Sequence, residues 1–213
     1  MLERILVTGF PHTGTTVMRK IIGRSDGVVD EERELMAVNP SNYEIEKNDD
    51  VRAIVHKWPF AFDLNLNYEE DQKIVFIIRN PYYVFSSLNN RMGYGLRKKH
   101  LIDDYAKVSD LFVTELPNKN IFKVRYEDLF DNDYEKIREM FKFLGLNYSS
   151  DVIEFKSKHE EKPDEVDHIR FRNWQIRQKF QCMNDPKRIN LLPEQIKKIS
   201  EIETVPELGY SLP

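Results

Sequence analysis

Gly9, Gly14, Thr15 and Thr16 stand in the spacing of a phosphate cradle. They lie in Gly9-Phe-Pro-His-Thr-Gly-Thr-Thr16, between the apolar run Ile5-Leu6-Val7 and a helix-like stretch that starts at Thr15. Glycine lets such a loop turn sharply, so that backbone N–H groups and the helix N-terminus converge on an anion. Laid over the pattern G-x-x-x-x-G-K-[ST], every position is filled except the lysine, where Thr15 stands. That lysine would reach the β- and γ-phosphates of a nucleoside triphosphate. The loop can therefore hold a phosphate but lacks the usual tool for a triphosphate.

A second set of residues follows in Ile77-Ile-Arg79-Asn-Pro81-Tyr-Tyr-Val-Phe-Ser-Ser87-Leu-Asn-Asn-Arg91. Arg79 ends a strand-like run, and Pro81 suits the first turn of a helix. Ser87 and Arg91 share a helical face, being four apart. Arg79 and Arg91 with a hydroxyl between them make a fork suited to a second, dianionic phosphate. Taken alone, the same residues also fit an arginine paired with a carboxylate and a serine that caps backbone.

The elements that must position these residues alternate along the chain. Strand candidates are Ile5–Val7, 53–56, 73–78 and 120–124, all short and rich in β-branched residues. Helical patterns cover 15–24, 82–91, 101–116, 134–144 and 193–202. Such alternation predicts βαβ units, a parallel sheet flanked by helices, and ligands at the carboxyl ends of the strands. Gly9–Thr16, His56-Lys57, Arg79 and Arg125-Tyr126 fall at those ends. The acidic stretch 30–34 and the mixed charges of 156–167 are expected to be loops or solvated faces.

The chain has 213 residues, 40% hydrophobic and 32% charged, with a net charge of −4. That length suits a single α/β domain over 1–213 with one core. The mildly acidic balance, with a pI near 5.8, argues against broad nucleic-acid binding but allows a local basic pocket. Cys182 is the only cysteine, so no internal disulfide can form and a reducing compartment is expected. The first strand begins almost at Met1 and no stretch has the apolar length of a membrane span, so a cytoplasmic protein without membrane attachment is expected. No cluster of metal-ligand spacing is evident.

Pro11-His-Thr-Gly-Thr-Thr16, together with Arg79-Asn-Pro81 and a serine eight residues after the arginine, resembles the sulfotransferases that use 3′-phosphoadenosine 5′-phosphosulfate (PAPS). Val124-Arg-Tyr-Glu-Asp-Leu129 and the closing Glu207-Leu-Gly-Tyr210 are similar to further segments of that family. The resemblance runs from about residue 5 to 210 and implies a P-loop NTPase-like three-layer α/β fold with a central parallel sheet. It implies sulfonate transfer to a hydroxyl, or less readily an amine, of a small molecule, glycan or peptide, releasing 3′,5′-bisphosphoadenosine (PAP). It implies that Pro11, His12, Thr13, Gly14, Thr15 and Thr16 hold the 5′ end of the donor. Arg79, Ser87 and Arg91 would hold the 3′-phosphate, with Tyr126 and Arg172 as further donor contacts and no metal required. The spacing of these motifs most resembles the tyrosylprotein branch.

Four residues are candidates for the chemistry itself. His12 stands where many members of the family carry a lysine or arginine that stabilises the leaving phosphate, and a neighbouring dianion would favour its protonated form. Lys57, in His56-Lys-Trp-Pro59, can supply a fixed charge there or can be a strand-end surface lysine. The acceptor base is either Glu32, as the tyrosylprotein branch implies, or His56, as the cytosolic small-molecule branch implies. The basic run 168–179 carries Arg170, Arg172, Arg177 and Lys179 around Phe171 and Trp174. It can close over the donor, contact RNA or be a basic helix face. The alternatives to a sulfotransferase are a P-loop kinase or nucleotide hydrolase with a degenerate loop, and a nucleotide-binding protein that has lost catalysis.

Overall fold

Short runs of β-branched and apolar residues become the strands of one sheet. The computed structural model describes residues 2–31, 50–59, 72–92, 98–115, 120–154 and 180–213; at 91, 92 and 98–100 it describes the backbone alone. The strands are β1 (Glu3–Gly9), β2 (Val28–Asp30), β3 (Ala53–Trp58), β4 (Lys73–Ile78) and β5 (Ile121–Arg125). All pair in parallel, in the order β2-β3-β1-β4-β5. Val7 of the central strand lies opposite Lys57 on one side and Val75 on the other.

Successive side chains of a strand point to opposite faces, and each face is covered. Helices α1 (Thr15–Ile22) and α4 (Glu135–Leu144) cover one face, where Met18, Ile21, Ile137 and Phe141 join Val7, Val75 and Ile77 in a buried cluster. On the other face lie α2 (Pro81–Met92), α3 (Lys98–Val113), α5 (Pro193–Ser200) and α6 (Thr204–Glu207). There Phe76 and Ile78 pack with Phe85, Tyr105, Val108, Ile199 and Val205. Burial of each such side chain contributes about 1.5–3 kcal/mol. The result is the expected three-layer α/β architecture.

The topology makes the crevice. From β1 the chain turns to α1 on the first face, while from the neighbouring β4 it turns to α2 on the opposite face. The connections part between the carboxyl ends of β1 and β4, which is where open α/β sheets bind ligands.

Two expectations need correction. Asp30 belongs to strand β2 and not to an acidic loop, and its carboxylate pairs with Arg19 at 2.8 Å and Lys20 at 3.0 Å. The helix expected over 101–116 runs from Lys98 to Val113. Lys123 of β5 ends it, donating to the carbonyls of Phe112 (2.7 Å) and Thr114. No helix among the described residues is long and apolar enough to cross a membrane.

Candidate active site

The β1–α1 loop is shaped by its glycines and by Thr13. Gly9 ends β1 so close to β4 that a Cβ there would lie 2.2 Å from the carbonyl oxygen of Ile77. Gly14 has φ 105°, in the region that favours glycine, and a Cβ on it would meet the Tyr126 ring at 2.8 Å. Thr13 is fully buried, and its hydroxyl (2.7 Å) and amide (3.2 Å) both donate to the carbonyl of Phe10. Its side chain thus closes the loop from within. The amides of Thr15, Thr16 and Val17 open α1 and have no carbonyl one turn earlier to receive them. They are the natural anion donors of this loop.

Lys57 supplies the cation that the loop sequence lacks. It is buried, 3% exposed, and its Nζ donates to Thr16 Oγ1 at 2.8 Å. Strand β3 aims Lys57 at the α1 face, and its four-carbon stem carries the ammonium up to the first turn of the helix. His56, one residue earlier, points to the opposite face. Its Nε2 lies 3.3 Å from the side-chain amide of Gln72, and burial, reinforced by the charge of Arg4, pushes its pKa down to about 4. It pairs in register with Leu6, three residues before Gly9, and so lies about 10 Å below the rim of the sheet.

Arg79 follows β4 and lines the crevice from the other side. Its Nε donates to Asn184 Oδ1 at 2.8 Å and its Nη1 to the carbonyl of His12 at 3.2 Å. The guanidinium lies over the Tyr126 ring, 4.5 Å from the centroid. Tyr105 fixes the backbone below, donating to the Arg79 carbonyl at 2.7 Å. His12 sits at φ 69°, where a non-glycine residue is uncommon, and its Nδ1 lies 2.7 Å from Ser87 Oγ. The loop histidine and the helix serine, expected at opposite ends of the donor, are thus in contact with each other.

Tyr126 forms a wall between the two halves, packing on Gly14 and under Arg79. Burial raises the pKa of its phenol, which accepts the Met183 amide at 3.2 Å. Behind it Glu127 accepts the Asn80 amide (3.0 Å), the Asn184 side-chain amide (2.8 Å) and the Tyr210 hydroxyl (3.0 Å). Arg125 of the same segment forms a double hydrogen bond with Asp128 (2.8 and 2.5 Å) and holds the Leu208 carbonyl.

Lys57 and Thr16 are thus gathered at one side of the crevice and His12, Arg79 and Ser87 at the other, with Tyr126 between them and Pro11, Thr13, Gly14 and Thr15 in the loop and helix start that join the two. Arg91 belongs to α2, one turn beyond Ser87, and its side chain lies outside the described set. Glu32 and Arg172 lie outside the described residues. Glu127 and Tyr210 were within reach of sequence reading, since each sits in a segment that carries the family resemblance. Asn184 had no such signal.

Residues 60–150 match the sequence profile described as the sulfotransferase family, which is less than half of the chain. No curated protein matches the sequence. A sulfotransferase domain from the curacin biosynthetic pathway superposes with a TM-score of 0.62 at 14% identity, over 100% of this chain and 99% of that one. The sulfotransferase domain of the Synechococcus PCC 7002 olefin synthase gives 0.64 at 12% identity, over 100% and 96%. Mouse sulfotransferase SULT7A1, complexed with PAP, gives 0.57 at 16% identity, over 95% and 84%. The fold of this chain is the one these sulfotransferases share.

Proposed function

We propose that residues 1–213 form one sulfotransferase domain that moves a sulfonate group from PAPS to a hydroxyl or amine acceptor and releases PAP. One observation carries this reading. The β1–α1 loop with Lys57 at Thr16, and Arg79 beside His12 and Ser87, converge from neighbouring strands on one crevice. That arrangement offers an anion receptor at each end, as a nucleotide with 5′- and 3′-phosphates requires. A P-loop kinase would place a lysine after Gly14 and an acid beyond a strand to hold Mg²⁺, where this chain has Thr15 and Arg79.

In this reaction the sulfur–oxygen bond to the donor phosphate breaks as the bond to the acceptor oxygen forms. Negative charge gathers on the leaving phosphate, where the amides of Thr15 and Thr16 and the ammonium of Lys57 stabilise it. Arg79 and Ser87, with Arg91 and His12, hold the 3′-phosphate, and Arg172 is assigned to the donor by resemblance. Glu32 takes the acceptor proton. Its rival His56 faces away from the loop, is a weak base with a pKa near 4, and is already hydrogen-bonded to Gln72. A carboxylate base agrees with the tyrosylprotein-like spacing of the motifs.

The test is transfer itself. The protein is incubated with sulfur-labelled PAPS and a panel of phenol, sugar, peptide and amine acceptors, and products are read by mass. Label on any acceptor supports the assignment. Hydrolysis of Mg-ATP with no sulfonate transfer overturns it. Glu32→Gln is expected to cut turnover by about 10²–10⁴-fold with PAP affinity intact, whereas near-full activity in that variant would remove Glu32 as the base.

A further inference from the structure

We infer that Asn184 is the positioning residue that aims Arg79 at the 3′-phosphate, so that nucleotide specificity is set from the C-terminal segment; this role rests on the sulfotransferase reading above. An arginine side chain has many rotamers, and reading a phosphate requires one of them. Here the choice is made by three neighbours. Arg79 Nε donates to Asn184 Oδ1 at 2.8 Å, Nη1 donates to the His12 carbonyl at 3.2 Å, and the guanidinium plane rests on Tyr126. The stacking partner is tied to the same segment, because Tyr126 accepts the amide of Met183, the residue before Asn184. Among the described residues Nη2 has no hydrogen-bond partner, and it is the edge left for a ligand.

Asn184 is itself held. Its Nδ2 donates to Glu127 Oε1 at 2.8 Å, while Glu127 is fixed by the Asn80 amide and the Tyr210 hydroxyl, both at 3.0 Å. The amide can face only one way, since its oxygen must meet the guanidinium and its nitrogen the carboxylate. Interposing a neutral amide between the arginine and Glu127 has a further consequence. A carboxylate bound directly to Arg79 would compensate its charge, whereas the amide uses one N–H and leaves the positive charge to a dianion.

Calorimetric affinities for PAP and 5′-AMP in four proteins test this: wild type, Arg79→Ala, Asn184→Ala and the nearly isosteric Asn184→Asp. The wild type is expected to prefer PAP strongly, and Arg79→Ala to lose that preference. Each Asn184 variant should lower the PAP-to-AMP affinity ratio by about tenfold or more, with 5′-AMP affinity within about twofold of wild type. The unchanged 5′-AMP affinity certifies a folded crevice. If Arg79→Ala collapses the ratio but both Asn184 variants keep it, the positioning role fails and the sulfotransferase reading stands. If both nucleotides weaken equally in the Asn184 variants, the residue is structural support and the inference is overturned. A wild type that does not distinguish PAP from 5′-AMP sinks the reading and the inference together.

Discussion

Lys57 and Thr16 lie 41 residues apart, and their 2.8 Å contact brings an ammonium to a loop whose own sequence carries no lysine. The cation arrives from strand β3, while the loop is shaped by Gly9, Gly14 and the hydrogen bonds from Thr13 to Phe10, so removing it should not dismantle the cradle. Lys57→Ala is accordingly expected to lower turnover far more than PAP affinity, because the charge matters most as the leaving phosphate forms. Steady-state kinetics beside calorimetry measures this, and unchanged turnover would take Lys57 out of the mechanism. His12 invites a separate test, since its imidazole meets Ser87 rather than the first turn of α1. His12→Ala should weaken PAP more than 5′-AMP, by roughly the worth of one polar contact, about 1–2 kcal/mol. Equal loss for both nucleotides would return His12 to the 5′ end, where the family pattern puts a cation.

At the scale of elements, strand β3 sorts two adjacent candidates onto opposite faces. Lys57 is turned to α1, and His56 is turned into a buried site beside Gln72, which lies immediately before β4. Alternation along a strand was available from the sequence, but which face carries the loop was not, so Lys57 stood as a candidate leaving-group cation and His56 as the alternative to Glu32 for the base. The buried His56 has a consequence for stability. Its pKa falls from 6.5 to about 4 on folding, so the unfolded chain binds the extra proton first. Stability from this group is therefore full above about pH 6.5 and is lost as pH falls toward 4, by up to about 3 kcal/mol. Urea unfolding of wild type and His56→Gln between about pH 7 and pH 4.5 measures it. Parallel pH profiles for the two proteins would show that His56 is not the group responsible. Strand β2 shows the limit of pattern reading in another way. Val28-Val29-Asp30 is too short to signal a strand, and it becomes one because β3 offers an edge and Arg19 a partner for Asp30. The uninterrupted Lys73–Ile78 needed no such help, and its bounds were plain in the sequence.

Across the whole molecule, the C-terminal segment laces the sheet to the crevice. Asn190 donates its amide to Ser86, and Gln195 and Asn89 exchange hydrogen bonds, both joining the segment to α2. Tyr210, 7% exposed, packs in the second core and holds Glu127. Tyr210→Ala should cost about 3–5 kcal/mol, as truncation of a large buried aromatic does, and Tyr210→Phe considerably less; equal losses in thermal unfolding would assign the effect to the hydroxyl alone. The order of elements and the Gly9–Thr16 and Arg79–Ser87 motifs made the fold and two sides of the crevice legible from the sequence. The ties from Asn184 and Tyr210 were not, because they join residues 57, 83 and 105 positions apart with no periodicity to announce them. On the proposed function, this crevice binds a nucleotide through phosphates at both its 5′ and 3′ ends. Calorimetric titration of the wild-type protein with PAP, 5′-AMP and Mg-ATP tests it most directly. PAP should bind tightest, exceeding 5′-AMP by at least one charge-assisted contact, roughly 1.5–3 kcal/mol. Equal affinity for PAP and 5′-AMP, or tightest binding of Mg-ATP, would contradict it.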